Sequence, residues 1–144
     1  MKKRIVLVLL MAMSMLFVFG CSNNQNAQND IEYLKSSDIT YMGGLAARSE
    51  VNDMMLCLYK SKGEPIAIIM ELGNTYYGKY ITEDAKLNDG TEYTKIIVQN
   101  KTYGYHFDDE WTGLVVDQEG NKYEAKKIDE SVANDMIKWT IDAN

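Results

Sequence analysis

The single histidine of the chain, His106, is the first candidate for catalysis, because an imidazole can act as a general base near neutral pH. Residues 103–107 alternate in a way that predicts a strand, with Tyr103, Tyr105 and Phe107 on one face and His106 on the other. No GxSxG or other nucleophile motif accompanies the histidine. We therefore predict that His106 faces solvent and that the protein is not an enzyme.

The densest acidic run, Asp-Asp-Glu at residues 108–110, is the first candidate for a metal site, since carboxylate oxygens are ligands for Ca²⁺. The run lacks the alternating ligand spacing and the glycine of an EF-hand loop, and Trp111 follows it directly. The pattern predicts a solvated turn. We expect no metal and no other cofactor.

A set of aromatic residues is the candidate for ligand binding. It consists of Tyr76, Tyr80, Tyr103, Tyr105 and Trp111. The four tyrosines share one sheet face if their strands are near neighbours, and Trp111 follows close behind in the sequence. Tyrosine and tryptophan are common at binding surfaces because they are apolar yet form hydrogen bonds. The alternative is that these tyrosines replace phenylalanine in a small core close to water.

The sequence predicts that these residues lie in an α+β, mostly β, domain over residues 31–144. Seven apolar segments alternate with short turn signals, which favours an antiparallel meander of six to seven strands, as an open sheet or a partly closed barrel. Gly78 is a candidate β-bulge within this meander. Val132, Met136, Trp139 and Thr140 have helical spacing and predict a C-terminal amphipathic helix that covers the sheet or plugs the barrel.

The N-terminus has the pattern of an export signal. Three basic residues precede an apolar stretch at 5–19, which is shorter than the roughly 20 residues of a membrane-spanning helix. Residues 18–21, Val-Phe-Gly-Cys, resemble the lipobox of bacterial lipoproteins. The resemblance covers residues 1–22 and implies cleavage before Cys21 and attachment of a diacylglyceryl group to its thiol. We therefore predict a signal peptide at 1–20 and a lipid anchor with a flexible tether at 21–30.

The second cysteine, Cys57, has no internal disulfide partner once Cys21 carries a lipid. It lies in the apolar segment 54–59, Met-Met-Leu-Cys-Leu-Tyr, which predicts a buried and inert thiol.

Charge and location together predict the class of function. The net charge is −6, and it becomes −9 once the three basic residues of the signal peptide are removed, so nucleic acid is not an expected partner. The anchor places the domain on the outer, extracytoplasmic face of the cell membrane. We predict a non-enzymatic binding or blocking module, for example for immunity against a cationic bacteriocin or exclusion of a mobile-element partner. The alternative is an accessory subunit or inhibitor of a cell-envelope enzyme or secretion complex.

Overall fold

The computed structural model describes residues 25–49 and 52–144. Within these ranges the chain forms two helices and eight strands, and the strands join in sequence order into one closed antiparallel barrel. In chain order the elements are α1 (Gln25–Leu34), β1 (Thr40–Arg48), β2 (Asp53–Ser61), β3 (Glu64–Glu71), β4 (Asn74–Lys86), β5 (Glu92–Val98), β6 (Lys101–Phe107), β7 (Thr112–Val116), β8 (Lys122–Lys127) and α2 (Glu130–Asp142). The predicted signal peptide and Cys21 lie outside the described residues.

The antiparallel meander and the C-terminal helix are confirmed, but the prediction of six to seven strands is wrong. The structure has an eighth strand, β1, which pairs with β2 along its length and meets β8 at Leu45 and Ala46. This pairing closes the barrel, so the sheet is not open. Helix α1 also replaces part of the predicted tether, because residues 25–30 belong to it.

Two-residue turns hold the hairpins in register. Three of them, Lys62-Gly63, Leu72-Gly73 and Gln99-Asn100, have positive φ at both positions, which is the backbone of a type I′ turn. This turn matches the twist of antiparallel strands and so fixes their pairing. The predicted bulge at Gly78 is wrong, since β3 and β4 pair without a register shift there. The bulge lies in β1 instead, between Tyr41 and Gly43.

Buried side chains fill the barrel interior. An eight-stranded barrel is just wide enough for inward-facing side chains to close its centre. The interior cluster contains Leu45, Ala47, Met54, Leu56, Leu58, Ala67, Ile69, Ile96, Val98, Tyr103, Val115 and Ala125. These residues come from seven of the eight strands, and β4 adds partly buried tyrosines, so the cluster ties the whole barrel together.

The two helices cover part of the outer face of the barrel, along its first four strands. Alternate residues of β2 and β3, including Cys57, Tyr59 and Ile68, point outward and pack against Met136 of α2 and Leu34 of α1. The Tyr59 hydroxyl donates a hydrogen bond of 2.6 Å to the Ala133 carbonyl of α2. The C-terminal helix therefore lies against the side of the barrel and does not plug an end. The Cys57 thiol is fully buried, and burial raises its pKa to about 12.

Helix α1 docks on β4 through a buried carboxylate. The side chain of Asp30 is buried over Gly78, and the backbone N–H of Lys79 donates a hydrogen bond to it. A Cβ at Gly78 would lie 2.5 Å from the Asp30 carboxylate, so the helix reaches this depth only because position 78 has no side chain. Burial raises the pKa of Asp30, and Lys79 opposes the shift only in part.

We expect Asp30→Asn to stabilise the protein at pH 7. The pKa of Asp30 in the folded protein is raised above its ordinary value of 3.8. The carboxyl therefore stabilises the fold fully below pH 3.8, and this stabilisation is lost as the pH rises through the folded-state pKa. An asparagine keeps an oxygen for the Lys79 N–H and has no charge to desolvate. Urea unfolding at several pH values measures the difference between variant and wild type. A stability gain that did not shrink as the pH fell below 3.8 would contradict the buried charge.

Candidate binding site

The structure brings the four predicted tyrosines together, but on the inner face of the barrel. Tyr103 belongs to the interior core at 1% exposure, and Tyr76, Tyr80 and Tyr105 pack against that core from positions that are partly exposed. The rings of Tyr76 and Tyr103 lie 6.2 Å apart between centroids. The alternative weighed from the sequence, tyrosines in a core close to water, therefore describes the placement of Tyr103.

Trp111 lies apart from the interior core, in the connection between β6 and β7, with 71% of its surface exposed. The acidic residues before it form a turn, in which Asp109 Oδ1 accepts hydrogen bonds from the N–H groups of Trp111 at 2.7 Å and Thr112 at 2.8 Å. These bonds lower the pKa of Asp109.

His106 faces outward on β6, with Nε2 3.5 Å from Asp108 Oδ1 and both side chains about half exposed.

One end of the barrel carries a concentration of buried polar groups, and we call it the polar end. It is the end at which strands β1, β3, β5 and β7 finish. Asp117 is 4% exposed there, and its carboxylate accepts hydrogen bonds from Asn121, Glu119 N–H and the Tyr123 hydroxyl. Burial alone would raise the pKa of Asp117, but these bonds outweigh it and the pKa is lowered. The hydrogen bonds to the Asp117 carboxylate therefore hold the connection between β7 and β8 at the polar end.

A second polar pair at the same end is incompletely satisfied. Asn52 is 6% exposed, and its Nδ2 donates a hydrogen bond of 3.0 Å to Glu71 Oε1. Among the described residues, the other two atoms of the pair, Asn52 Oδ1 and Glu71 Oε2, are buried and have no hydrogen-bond partner. Most buried polar atoms in folded proteins have a partner, because an unpaired one costs about 1–3 kcal/mol. Both atoms are closed to solvent, and the Tyr103 hydroxyl hydrogen-bonds the Glu71 carboxylate from the barrel interior.

This pair lines a cavity of about 630 Å³ at the polar end. Its walls combine polar and apolar side chains, among them Arg48, Asn52, Met55, Met70, Glu71 and Leu72. Glu71 also faces the interior, because the hydrogen bond between its carboxylate and the Tyr103 hydroxyl adds to burial in raising the pKa of Tyr103. The cavity is thus connected through Glu71 to the core tyrosine, whose hydroxyl accepts a hydrogen bond of 2.8 Å from Gln118 Nε2.

Comparison with models of protein families, with curated proteins and with solved structures finds no match to this chain. In the part of the chain that the structure describes, no helix is both long and apolar enough to cross a membrane. No cluster of three or more His, Cys, Asp and Glu side chains that could hold a metal ion is present among the described residues.

Sequence reasoning missed Asn52 and Glu71. The two residues are 19 positions apart and meet only because β2 and β3 pair in a register that places Met54 opposite Glu71. One signal could have pointed to Glu71, since it ends a nearly continuous apolar strand just before a tight turn. A glutamate at the end of an apolar strand is only partly exposed, as Glu71 is.

Proposed function

We propose that this protein is a membrane-anchored, extracytoplasmic binding or blocking module that captures a cationic peptide or protein at the membrane surface. The lipid on Cys21 is the anchor, and the β-rich domain is the binding body. The observations that carry the proposal are the lipobox-like residues 18–21 and the net charge of −6. An acidic domain held at a membrane favours a ligand that carries positive charge.

The net charge supports the same class of ligand. The full chain carries −6, so its field attracts cations and repels other acidic surfaces. This attraction reaches only about 8 Å at physiological salt, so the module acts on peptides that already reach the membrane. A lipid anchor raises the local concentration of the domain at the place where such peptides arrive. Immunity against a cationic bacteriocin and exclusion of a mobile-element partner are the two roles that fit best.

A protection assay tests this function. We expect cells that produce the wild-type protein to survive higher concentrations of cationic antimicrobial peptides than cells that produce Cys21→Ala, because the variant loses its place at the membrane. Ser22→Ala, which keeps the lipidated cysteine, is the matched control and retains protection. If Cys21→Ala protected cells equally at equal protein levels, the lipid anchor would have no role in protection. Recovery of a stoichiometric envelope protein from membranes would favour the alternative of an accessory subunit or inhibitor.

A further inference from the structure

We infer that the outer face of β4 and β5 lies against the membrane in the anchored protein, with Ile81 and Ile97 at the level of the lipid headgroups. This inference rests on the proposed function, because it needs the lipid on Cys21, and it names the surface that the domain turns toward the membrane. Three features carry it, namely the few residues between the anchor and α1, the docking of α1 on the barrel, and the exposed apolar pair.

The chain between the anchor and the folded domain is short. Residues 22–24 alone separate Cys21 from Gln25, the first residue of α1. A fully extended chain advances at most about 3.6 Å per residue, so the start of α1 lies within about 14 Å of the lipidated residue. The side of the barrel next to the start of α1 is therefore held close to the membrane.

Helix α1 is attached to the barrel, so the anchor restrains the orientation of the whole domain. Leu34 is buried in the outer cluster, and the backbone N–H of Lys79 donates a hydrogen bond to the Asp30 carboxylate. The Ser61 hydroxyl of β2 donates a hydrogen bond of 2.6 Å to the Tyr33 carbonyl. A helix held at several points cannot swing as a free linker does.

The start of α1 points from β4 toward β5. Asp30 lies over Gly78 of β4, whereas the Tyr33 carbonyl meets Ser61 of β2. Because β3 separates these two strands, the helix crosses from β4 to β2 as the chain advances. Residues 25–29 belong to the same helix and continue the line in the opposite direction, toward β5. The anchor therefore brings the outer face of β4 and β5 to the membrane.

An exposed apolar pair lies on this face. Ile81 of β4 is directly opposite Ile97 of β5 in the strand register. Ile97 alternates with the interior residues Ile96 and Val98, so the pair points outward. Ile81 is 67% exposed, and Ile97 is partly exposed. Apolar side chains beside an anchor suit the boundary between headgroups and acyl chains.

The local charge does not oppose this contact. The chain as a whole carries −6, and a strongly acidic face would be repelled by anionic lipids. Beside the apolar pair, however, Glu83 Oε1 lies 3.2 Å from Lys95 Nζ, so the acid is matched by a cation. Lys79 pairs with the outward-facing Ile66 and adds a positive charge to the same face. The surroundings of the pair are therefore less acidic than the domain as a whole.

The far side of the barrel faces away from the membrane in this orientation. Strand β8 is four strands from β4 around the closed ring of eight. The Trp111 carbonyl accepts a hydrogen bond of 2.9 Å from the Lys127 N–H at the end of β8. The exposed Trp111 is therefore on the side that an arriving ligand meets first.

Fluorescence quenching at chosen sites tests the orientation. The lipidated, full-length protein is added to vesicles of phosphatidylcholine and phosphatidylglycerol that carry a nitroxide on the headgroup. A fluorescent maleimide is attached at Ile81→Cys or, as the matched control, at Glu124→Cys, an exposed position on β8. The native Cys57 thiol is fully buried and does not compete for the label. We expect quenching at position 81 to be about twofold or more greater than at position 124, because β8 lies on the far side of the barrel.

Sedimentation with the vesicles separates the anchor from the orientation. Protein that sediments with the vesicles but shows equal quenching at both positions, or stronger quenching at position 124, would overturn the inference and leave the proposed function standing. The apolar pair would then be open to a protein partner. Protein that does not sediment with the vesicles would overturn both.

Lengthening the tether provides a test outside the folded domain. About ten Gly-Ser residues inserted between Asn24 and Gln25 add an r.m.s. length of about 17 Å, so the barrel can turn and the difference in quenching should shrink. The same insertion after Asn144 is the matched control and leaves the difference unchanged. A difference that survived the longer tether in full would overturn the role of the short connection.

Discussion

Gly78→Ala should lower the free energy of unfolding by about 2–4 kcal/mol, because the substitution combines an unfavourable backbone conformation with a steric clash. Gly78 has φ 137°, where an L-residue is strained, and a Cβ there would lie 2.5 Å from the Asp30 carboxylate. That carboxylate is buried and belongs to the helix that covers β4. The clash is relieved if the Asp30 side chain rotates and gives up the hydrogen bond from the Lys79 N–H, or if α1 moves outward and exposes Leu34. Urea unfolding followed by circular dichroism measures the loss.

Two controls separate the strain from the clash. Gly73 and Gly120 also have positive φ, at 80° and 85°, but a Cβ at either position meets nothing within 4 Å. Their alanine variants report backbone strain alone, which we expect to cost about 1 kcal/mol. Adding Asp30→Ala to Gly78→Ala removes the clashing carboxylate and should recover part of the loss. If Gly78→Ala cost no more than Gly73→Ala, the close approach of α1 to β4 would be refuted.

The elements with strong patterns of their own could be predicted from the sequence. Seven strands were visible because apolar runs end at turn residues, and α2 was visible because its apolar residues repeat with helical period. Strand β1 was missed because Gly43, Gly44, Ala46 and Ala47 are poor strand formers. Strand β1 requires glycine because of a tertiary contact, since a Cβ at Gly44 would lie 2.7 Å from the Cys57 sulfur.

Helix α1 was missed for a related reason. Its first six residues, Gln-Asn-Ala-Gln-Asn-Asp, have no apolar period, and a ten-residue helix is marginal by itself. What stabilises α1 is the burial of Leu34 against the barrel, and that information lies in β2 to β4. Closure of the barrel was unpredictable on the same grounds, because it depends on β1 meeting β8.

The candidate site, like the fold, could be predicted only in part from the sequence. Alternation along β4 and β6 correctly placed Tyr76, Tyr80, Tyr103 and Tyr105 on one face, since side-chain direction has a period of two. Alternation could not say which face turns inward, because that depends on the closure of the sheet. No pattern in the sequence paired Asn52 with Glu71, as the two side chains meet only through strand register.

Tyr103→Ala is the variant that tests whether this predicted binding residue belongs to the core. Its ring is 1% exposed and packs among the interior residues, so truncation leaves a cavity in the barrel and should cost about 3–5 kcal/mol. Tyr103→Phe keeps the ring and loses only the hydroxyl, which accepts from Gln118 and hydrogen-bonds Glu71, and this should cost about 1–3 kcal/mol. Thermal and urea unfolding of the two variants measure the ring and the hydroxyl separately.

Trp111→Ala is the matched control, because it removes another aromatic residue of the same predicted binding set. Its side chain is 71% exposed, so we expect the free energy of unfolding to change by about 0.5 kcal/mol or less. A binding surface behaves in the opposite way to a core, since its aromatic residues affect affinity and leave stability nearly unchanged. Tyr103→Ala with wild-type stability would therefore place Tyr103 on an accessible surface, and the filled interior of the barrel would be wrong.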